Sequence, residues 1–139
     1  MNKVLVDTSV WIDALNGNET WQTKLLNQLI DADAPIVLCS VIIQEILQGI
    51  KEDKDFSATK DNLTGFELLI IDPLEAAYGA ASLYRSVRKK GITIRKSNDC
   101  LIAFYSIFFN AVLLHNDEDF IRIAQHTTLE IFIEDDYKK

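Results

Sequence analysis

Four carboxylates stand where apolar runs give way to polar ones: Asp7, Glu45, Asp99 and Asp117. Asp7 closes the run Val4-Leu5-Val6, and Asp117 lies in His115-Asn116-Asp117-Glu118-Asp119, directly after the apolar stretch Ala111 to Leu114. Asp99 stands with Ser97 and Asn98 at the head of a strongly apolar segment. Glu45 lies within the apolar row of Val41, Ile42, Ile46 and Gly49 rather than opposite it. A Glu so placed is rarely left unpaired, because burying a lone ionised carboxylate is costly; a salt bridge would satisfy it, and so would a metal. Four acids sharing one cleft would repel one another unless a cation sat among them. Oxygen ligands without His or Cys select hard ions, Mg2+ or Mn2+ rather than zinc. Such ions keep waters and complete their shell with substrate phosphate, and a pair of them roughly 4 Å apart suits phosphodiester hydrolysis.

The elements that must hold these acids can be read from hydrophobic spacing. Val4 to Val6 is too short and β-branched for a helix, whereas Val10, Trp11, Ala14 and Leu15 recur at helical spacing just beyond it. Asp7 therefore ends a buried strand and opens a helix, where it also fits simple capping. A second helix carries Trp21, Leu25, Leu26, Leu29 and Ile30, and Ile36 to Cys39 reads as a second strand with Ser40 capping the Glu45 helix up to about Lys51. Glu52 to Lys60 is charged and poor in apolar anchors, so it reads as a mobile helical or loop segment, a lid or partner surface. Leu68 to Ile71 gives a third strand, and Asp72-Pro73 starts a long helix whose small-residue face (Ala76, Ala77, Ala80, Ala81) serves either the core or a dimer seam. Ser97 is the better cap of the helix Cys100 to Phe109, which leaves Asp99 free. Ala111 to Leu114 and Leu129 to Ile133 are the fourth and fifth strands, and the final EDDYKK reads as a solvated tail. His115 and His126 read as a strand-end and a surface histidine.

Strand and helix alternate, which predicts an α/β fold: a mostly parallel five-stranded sheet with helices on both faces. With the first strand central, flanked by the second and fourth, Asp7, the Glu45 helix and Asp117 emerge at one sheet edge, where ligands bind in such sheets. The chain length supports one domain, 1–139, with one core. Cys39 and Cys100 form neither a CxxC pair nor a zinc-spaced set, and read as reduced, buried thiols of a cytoplasmic protein. No window approaches the 18 or so apolar residues of a membrane span.

A net charge of −7 speaks at face value against a nucleic-acid partner. Its distribution does not, because six of the 14 basic residues (Arg85, Arg88, Lys89, Lys90, Arg95 and Lys96) fall in one short stretch. Such a cluster either complements a helix C-terminus or holds phosphate. Bound metal would reverse the sign of the acidic site, and the basic run before Asp99 would then hold the flanking phosphates.

The segments LVDTSVWID, IIQEILQG with Glu45, RKSNDCLIA around Asp99 and LLHNDEDFIRIA around Asp117, taken together, resemble a PIN-domain ribonuclease of the VapC toxin type over nearly the whole chain. The resemblance implies a three-layer α/β/α PIN-like domain that cleaves RNA. It further implies a Mg2+ site, with Mn2+ as a substitute, formed by Asp7, Glu45, Asp99 and Asp117 with support from Asp119. A homodimer and inhibition by a VapB-type antitoxin are implied as well. Glu118 stands between the last two acids where many such proteins carry a basic residue. Thr8, Ser9 and Asn116 are candidates for orienting the ligands, and Arg85, Arg88, Lys89, Arg95 and Lys96 for substrate phosphate. A different reading is a catalytically silent interaction module whose acidic cleft docks a basic partner segment. A phosphatase of the haloacid-dehalogenase type would want a DxD pair after the first strand, which Asp7-Thr8-Ser9 does not supply.

Overall fold

The computed structural model describes residues 2–138, so Met1 and Lys139, at the limits of the expected 1–139 domain, lie outside the described residues. Five short strands, β1 (Val4–Val6), β2 (Ile36–Leu38), β3 (Glu67–Leu68), β4 (Val112–Leu114) and β5 (Glu130–Ile131), form one sheet in the order β3-β2-β1-β4-β5. Every pairing is parallel. The helices are α1 (Thr8–Leu15), α2 (Trp21–Asp31), α3 (Ser40–Gln48), α4 (Asp53–Leu63), α5 (Pro73–Lys89), α6 (Ser97–Phe108), α7 (Glu118–His126) and α8 (Glu134–Lys138). β1 is central, as expected, with Val4 in register with both Ile36 and Val112. All three residues of β1 and of β2 are buried although successive side chains point to opposite faces, so both faces of the sheet are covered. The loops after β1, β2 and β4 consequently leave the same edge.

Several local expectations are corrected. The third strand is Glu67–Leu68, because β2 offers only three residues to pair with; beyond Leu68 the chain leaves the ladder while Leu69 and Ile71 still turn into the core. β5 is likewise shorter than Leu129 to Ile133. Cys39 and Lys96, not Ser40 and Ser97, are the caps of α3 and α6, and neither makes a side-chain capping bond. Of the helical and loop readings of the charged stretch after Glu52, the helical one holds: it forms the regular helix α4, with Asp53 and Asp55 in its first turn and Lys60 in its last, matching the helix dipole. EDDYKK is not a free tail: 134–138 are helical, α8 packs on α2, and Tyr137 is partly buried against the core. Ala76 faces the core, whereas Ala77 and Ala81 are exposed. Against the same helix Gly79 faces the Phe104 ring of α6, where a Cβ would lie 2.2–2.5 Å from ring carbons. Cys39 and Cys100 are buried and unpaired, as expected. No helix among the described residues is long and apolar enough to cross a membrane.

Candidate active site

Asp7 leaves the end of β1, its N–H donating to Leu114 O across the central strand pair at 2.9 Å. It does cap α1: Oδ2 accepts from Ser9 N (3.0 Å) and from Ser9 Oγ (2.6 Å). The Thr8 backbone adds a further hydrogen bond to the same carboxylate, so the first turn of α1 holds Asp7 through both Thr8 and Ser9. Ser9 Oγ in turn accepts from Asn116 N at 2.9 Å, tying the loop after β4 to the loop after β1. The Asn116 side chain faces away from the acids, bonded to Asp13 (3.1 Å) and Gln22 (3.3 Å). Burial pushes the Asp7 carboxyl above its ordinary range against the two Ser9 bonds, and the Glu45 charge adds to the rise.

The Thr8 side chain serves Glu45, while its backbone serves Asp7. Its Oγ1 donates to Glu45 Oε1 at 2.7 Å, and Asn98 Nδ2 reaches Oε2 at 3.5 Å. No cation pairs with Glu45 among the described residues, so the salt bridge that would have explained it is absent.

Asp99, Asp117 and Asp119 offer carboxylate oxygens that all lie within 4.8 Å of one another. Asp117 caps α7, Oδ1 accepting from Asp119 N at 3.0 Å. Lys96 Nζ lies 3.4 Å from Oδ2 and Arg95 Nη2 3.7 Å from Oδ1. Burial raises the Asp117 carboxyl, but the Asp119 N–H and these cations outweigh it and hold the group below its ordinary range. Asp119 is fully buried and engaged on both oxygens: Oδ1 accepts from Arg122 Nη1 (2.9 Å) and Oδ2 from Arg95 N (3.2 Å). Asp99 is 5% exposed, and its Oδ2 is the one fully buried side-chain polar atom without a hydrogen-bond partner among the described residues. Burial first, then the charges of Asp117 and Asp7, push its carboxyl up to about 7. A buried acceptor left open among like charges is the arrangement that a hard cation would relieve. The donor set fits Mg2+ or Mn2+: oxygen only, with an open position at Asp99 Oδ2.

The structure thus gathers Asp99, Asp117 and Asp119 tightly, sets Asp7 within electrostatic reach of Asp99, and places Glu45 beside Asp7. Of the basic run, only Arg95 and Lys96 pair with the acids. Arg85, Arg88 and Lys89 are exposed on α5, where Arg88 lies over the Tyr84 ring at 5.5 Å. Sequence reasoning missed Arg122 and Asn98; the i,i+3 spacing from Asp119 to Arg122 on one helix was the available signal for the first. His115 is a buried strand-end residue, its Nδ1 accepting from Asp117 N at 3.2 Å and its ring against Phe120, and burial pushes it down to about 4. It holds the Asp117 loop as a neutral ring.

A parallel sheet with a largely buried carboxylate cluster at the carboxyl edge of its central strands defines a class of α/β proteins that could hold a metal ion there, and comparison with known proteins narrows it. The PIN domain family model matches residues 4–125, and the chain belongs to that family. It is 33% identical over 128 residues to VapC ribonuclease Mb1587 of Mycobacterium bovis and, to the same degree, to Ribonuclease VapC11 of Mycobacterium tuberculosis, covering 91% of this chain and 96% of each relative. Among solved structures, VapBC2 from Rickettsia felis bound to a promoter DNA fragment superposes with a TM-score of 0.73 at 21% identity, over 94% of this chain and 97% of that one. VapBC-1 from nontypeable Haemophilus influenzae gives 0.71 at 20% identity over 99% of both chains. At these identities the structures bear on the fold, and they bear it out.

Proposed function

We propose that this chain is a Mg2+-dependent ribonuclease, with Mn2+ as a substitute, that hydrolyses RNA phosphodiester bonds as the toxin of a VapBC-type pair. The observation that carries the reading is the buried, unpartnered Oδ2 of Asp99 beside Asp117 and within reach of the Asp7 charge. Asp7, Asp99 and Asp117 hold the ion, with Glu45 completing the acidic wall. A bound ion supplies activation of water for in-line attack and compensation for phosphate charge. The chain's own residues do the rest. Ser9 and the Asn116 backbone fix Asp7, Thr8 and Asn98 fix Glu45, and Asp119 anchors Arg95 and Arg122 beneath Asp117. Among the described residues no Ser–His or Cys–His arrangement competes: Ser9 Oγ donates to Asp7, a proposed metal ligand, rather than to a histidine, and burial pushes the Cys39 and Cys100 thiols up to about 12 and about 11, which keeps them protonated.

Cleavage of total RNA by the purified chain with Mg2+, with Mn2+ and with EDTA, beside Asp99→Asn, tests the reading. Discrete fragments that need metal and Asp99 are expected; cleavage that persists in EDTA would refute it. As to partners, the pairing of Arg95, Lys96 and Arg122 with the acids supports docking of a basic antitoxin segment in the same cleft, by a VapB-type protein acting on a homodimeric, cytoplasmic toxin of one domain. Should a folded, antitoxin-free chain leave RNA intact while binding such a segment, the silent interaction module becomes the better description.

A further inference from the structure

Three cations crowd the acids, and they are held differently. Arg122, on α7, lies 2.9 Å from Asp119 and also reaches Glu118. Arg95 and Lys96, on the 90–96 connection between α5 and α6, stand 3.4–3.7 Å from Asp117 and Asp119, with side chains 69% and 65% exposed. These are longer than the roughly 2.7–2.9 Å of a strong charge-assisted bond. The backbone beneath them is fixed, however: Arg95 N donates to buried Asp119, Ile94 is 4% exposed, and Lys96 O accepts from Asp99 N at 3.0 Å. Each charge is a loosely held tip on an anchored root.

We infer that Arg95 and Lys96 are exchangeable counter-ions: they neutralise Asp117 while no divalent ion is bound, and an arriving ion releases them to the phosphates of the RNA strand. The inference rests on the metal-site reading above. A divalent ion at Asp117 would stand beside an ammonium and a guanidinium that face the same carboxylate, and like charges at that range repel. Only the cationic ends of these pairs are exposed, while the Asp117 and Asp119 side chains are 10% and 1% exposed, so the cations leave only when the arriving ion takes over the charge of the acids. Long side chains rooted at the rim then sweep the space where flanking phosphates lie. The two cations therefore oppose metal binding and favour RNA binding, a pair of opposite effects that a purely structural role does not produce.

The test is the variant Arg95→Gln/Lys96→Gln, read by Mn2+ binding (electron paramagnetic resonance, no RNA present) and by fluorescence anisotropy of a labelled single-stranded RNA oligonucleotide with Ca2+ replacing Mg2+. Mn2+ should bind about tenfold more tightly than in the wild type, and RNA more weakly. The slope of log K for RNA against log salt should be shallower by about 1.4, the value for two lost contacts at roughly 0.7 each on a single strand. Lys54→Gln/Lys60→Gln, which removes the same charge from exposed positions of α4, should move Mn2+ affinity less than twofold, and Arg95→Lys/Lys96→Arg should keep wild-type behaviour. Mn2+ binding no tighter than in the α4 control, or both ligands shifting in one direction, overturns the exchange. A wild-type chain that is folded by its melting curve yet takes up no Mn2+ overturns the metal site itself.

Discussion

Replacing Asp99 by Asn should stabilise the metal-free protein at alkaline pH and much less in acid. Burial and the neighbouring acids raise this carboxyl from 3.8 to about 7, so the folded chain binds its proton more tightly than the unfolded chain does. Stability from this group is complete below the unfolded value and is lost as the pH rises through the folded one. At 1.36 kcal/mol per pH unit, this group costs the folded state about 4 kcal/mol at pH 8, where it is ionised, and about 2 kcal/mol at pH 5, where it must take up its proton. An asparagine removes that cost but leaves buried amide hydrogens unpaired, a pH-independent loss of roughly 1–3 kcal/mol. The stability difference between Asp99→Asn and wild type should therefore grow by roughly 2 kcal/mol from pH 5 to pH 8. Urea denaturation in EDTA at both pH values, followed by tryptophan fluorescence, measures it. Added Mg2+ at a hundred times its Kd should then raise the wild type by about 2.7 kcal/mol and the variant hardly at all. A difference equal at the two pH values would show that the Asp99 carboxyl is not raised by its burial.

Three further outcomes follow from other parts of the molecule. Ser9→Ala removes the acceptor of Asn116 N and a donor to Asp7, and should cost about 1–3 kcal/mol in thermal denaturation; an unchanged melting temperature would show that the link between the two loops carries nothing. Gly79→Ala drives a Cβ into the Phe104 ring and should cost about 1–3 kcal/mol, with Phe104→Leu recovering part of it in the double variant; additive losses would contradict the packing. The His115 ring should show no protonation by NMR between pH 8 and pH 5.5, because burial pushes it down to about 4. Its native neutrality contributes stability that is lost as the pH falls below 6.5 toward that value, and a midpoint near 6.5 would place the ring in solvent.

The central architecture was legible because its signals agree. β1 is short and β-branched, α1 follows at helical spacing, and Asp7 between them reads alike as a cap and as a strand-end acid. In the structure Asp7 both closes β1 and caps α1. What misled were signals carried by residue type alone. Ser40 and Ser97 are good caps by composition, but the helices begin one residue earlier than a cap there requires, and position outranks type. Leu68 to Ile71 is apolar throughout, yet the ladder runs out where β2 does. The EDDYKK segment lacks apolar periodicity; its helix rests on one partly buried tyrosine and on Asp136 Oδ2 accepting from Ile133 N at 2.8 Å, neither visible as a pattern. At the site, residue types named the acids, but only geometry separates engaged Asp119 from open Asp99, and rim-anchored Arg95 and Lys96 from the rest of the basic run.

The claim that the acidic cluster is a divalent-ion site is tested most directly by the anomalous difference map of a crystal of this chain soaked in Mn2+. A bound ion should give a peak at about 2.1 Å from Asp99 Oδ2, shared with Asp117 and Asp7, with the Lys96 ammonium moved off Asp117. Density showing Lys96 and Arg95 still on the acids and no manganese among them at saturating ion would contradict it.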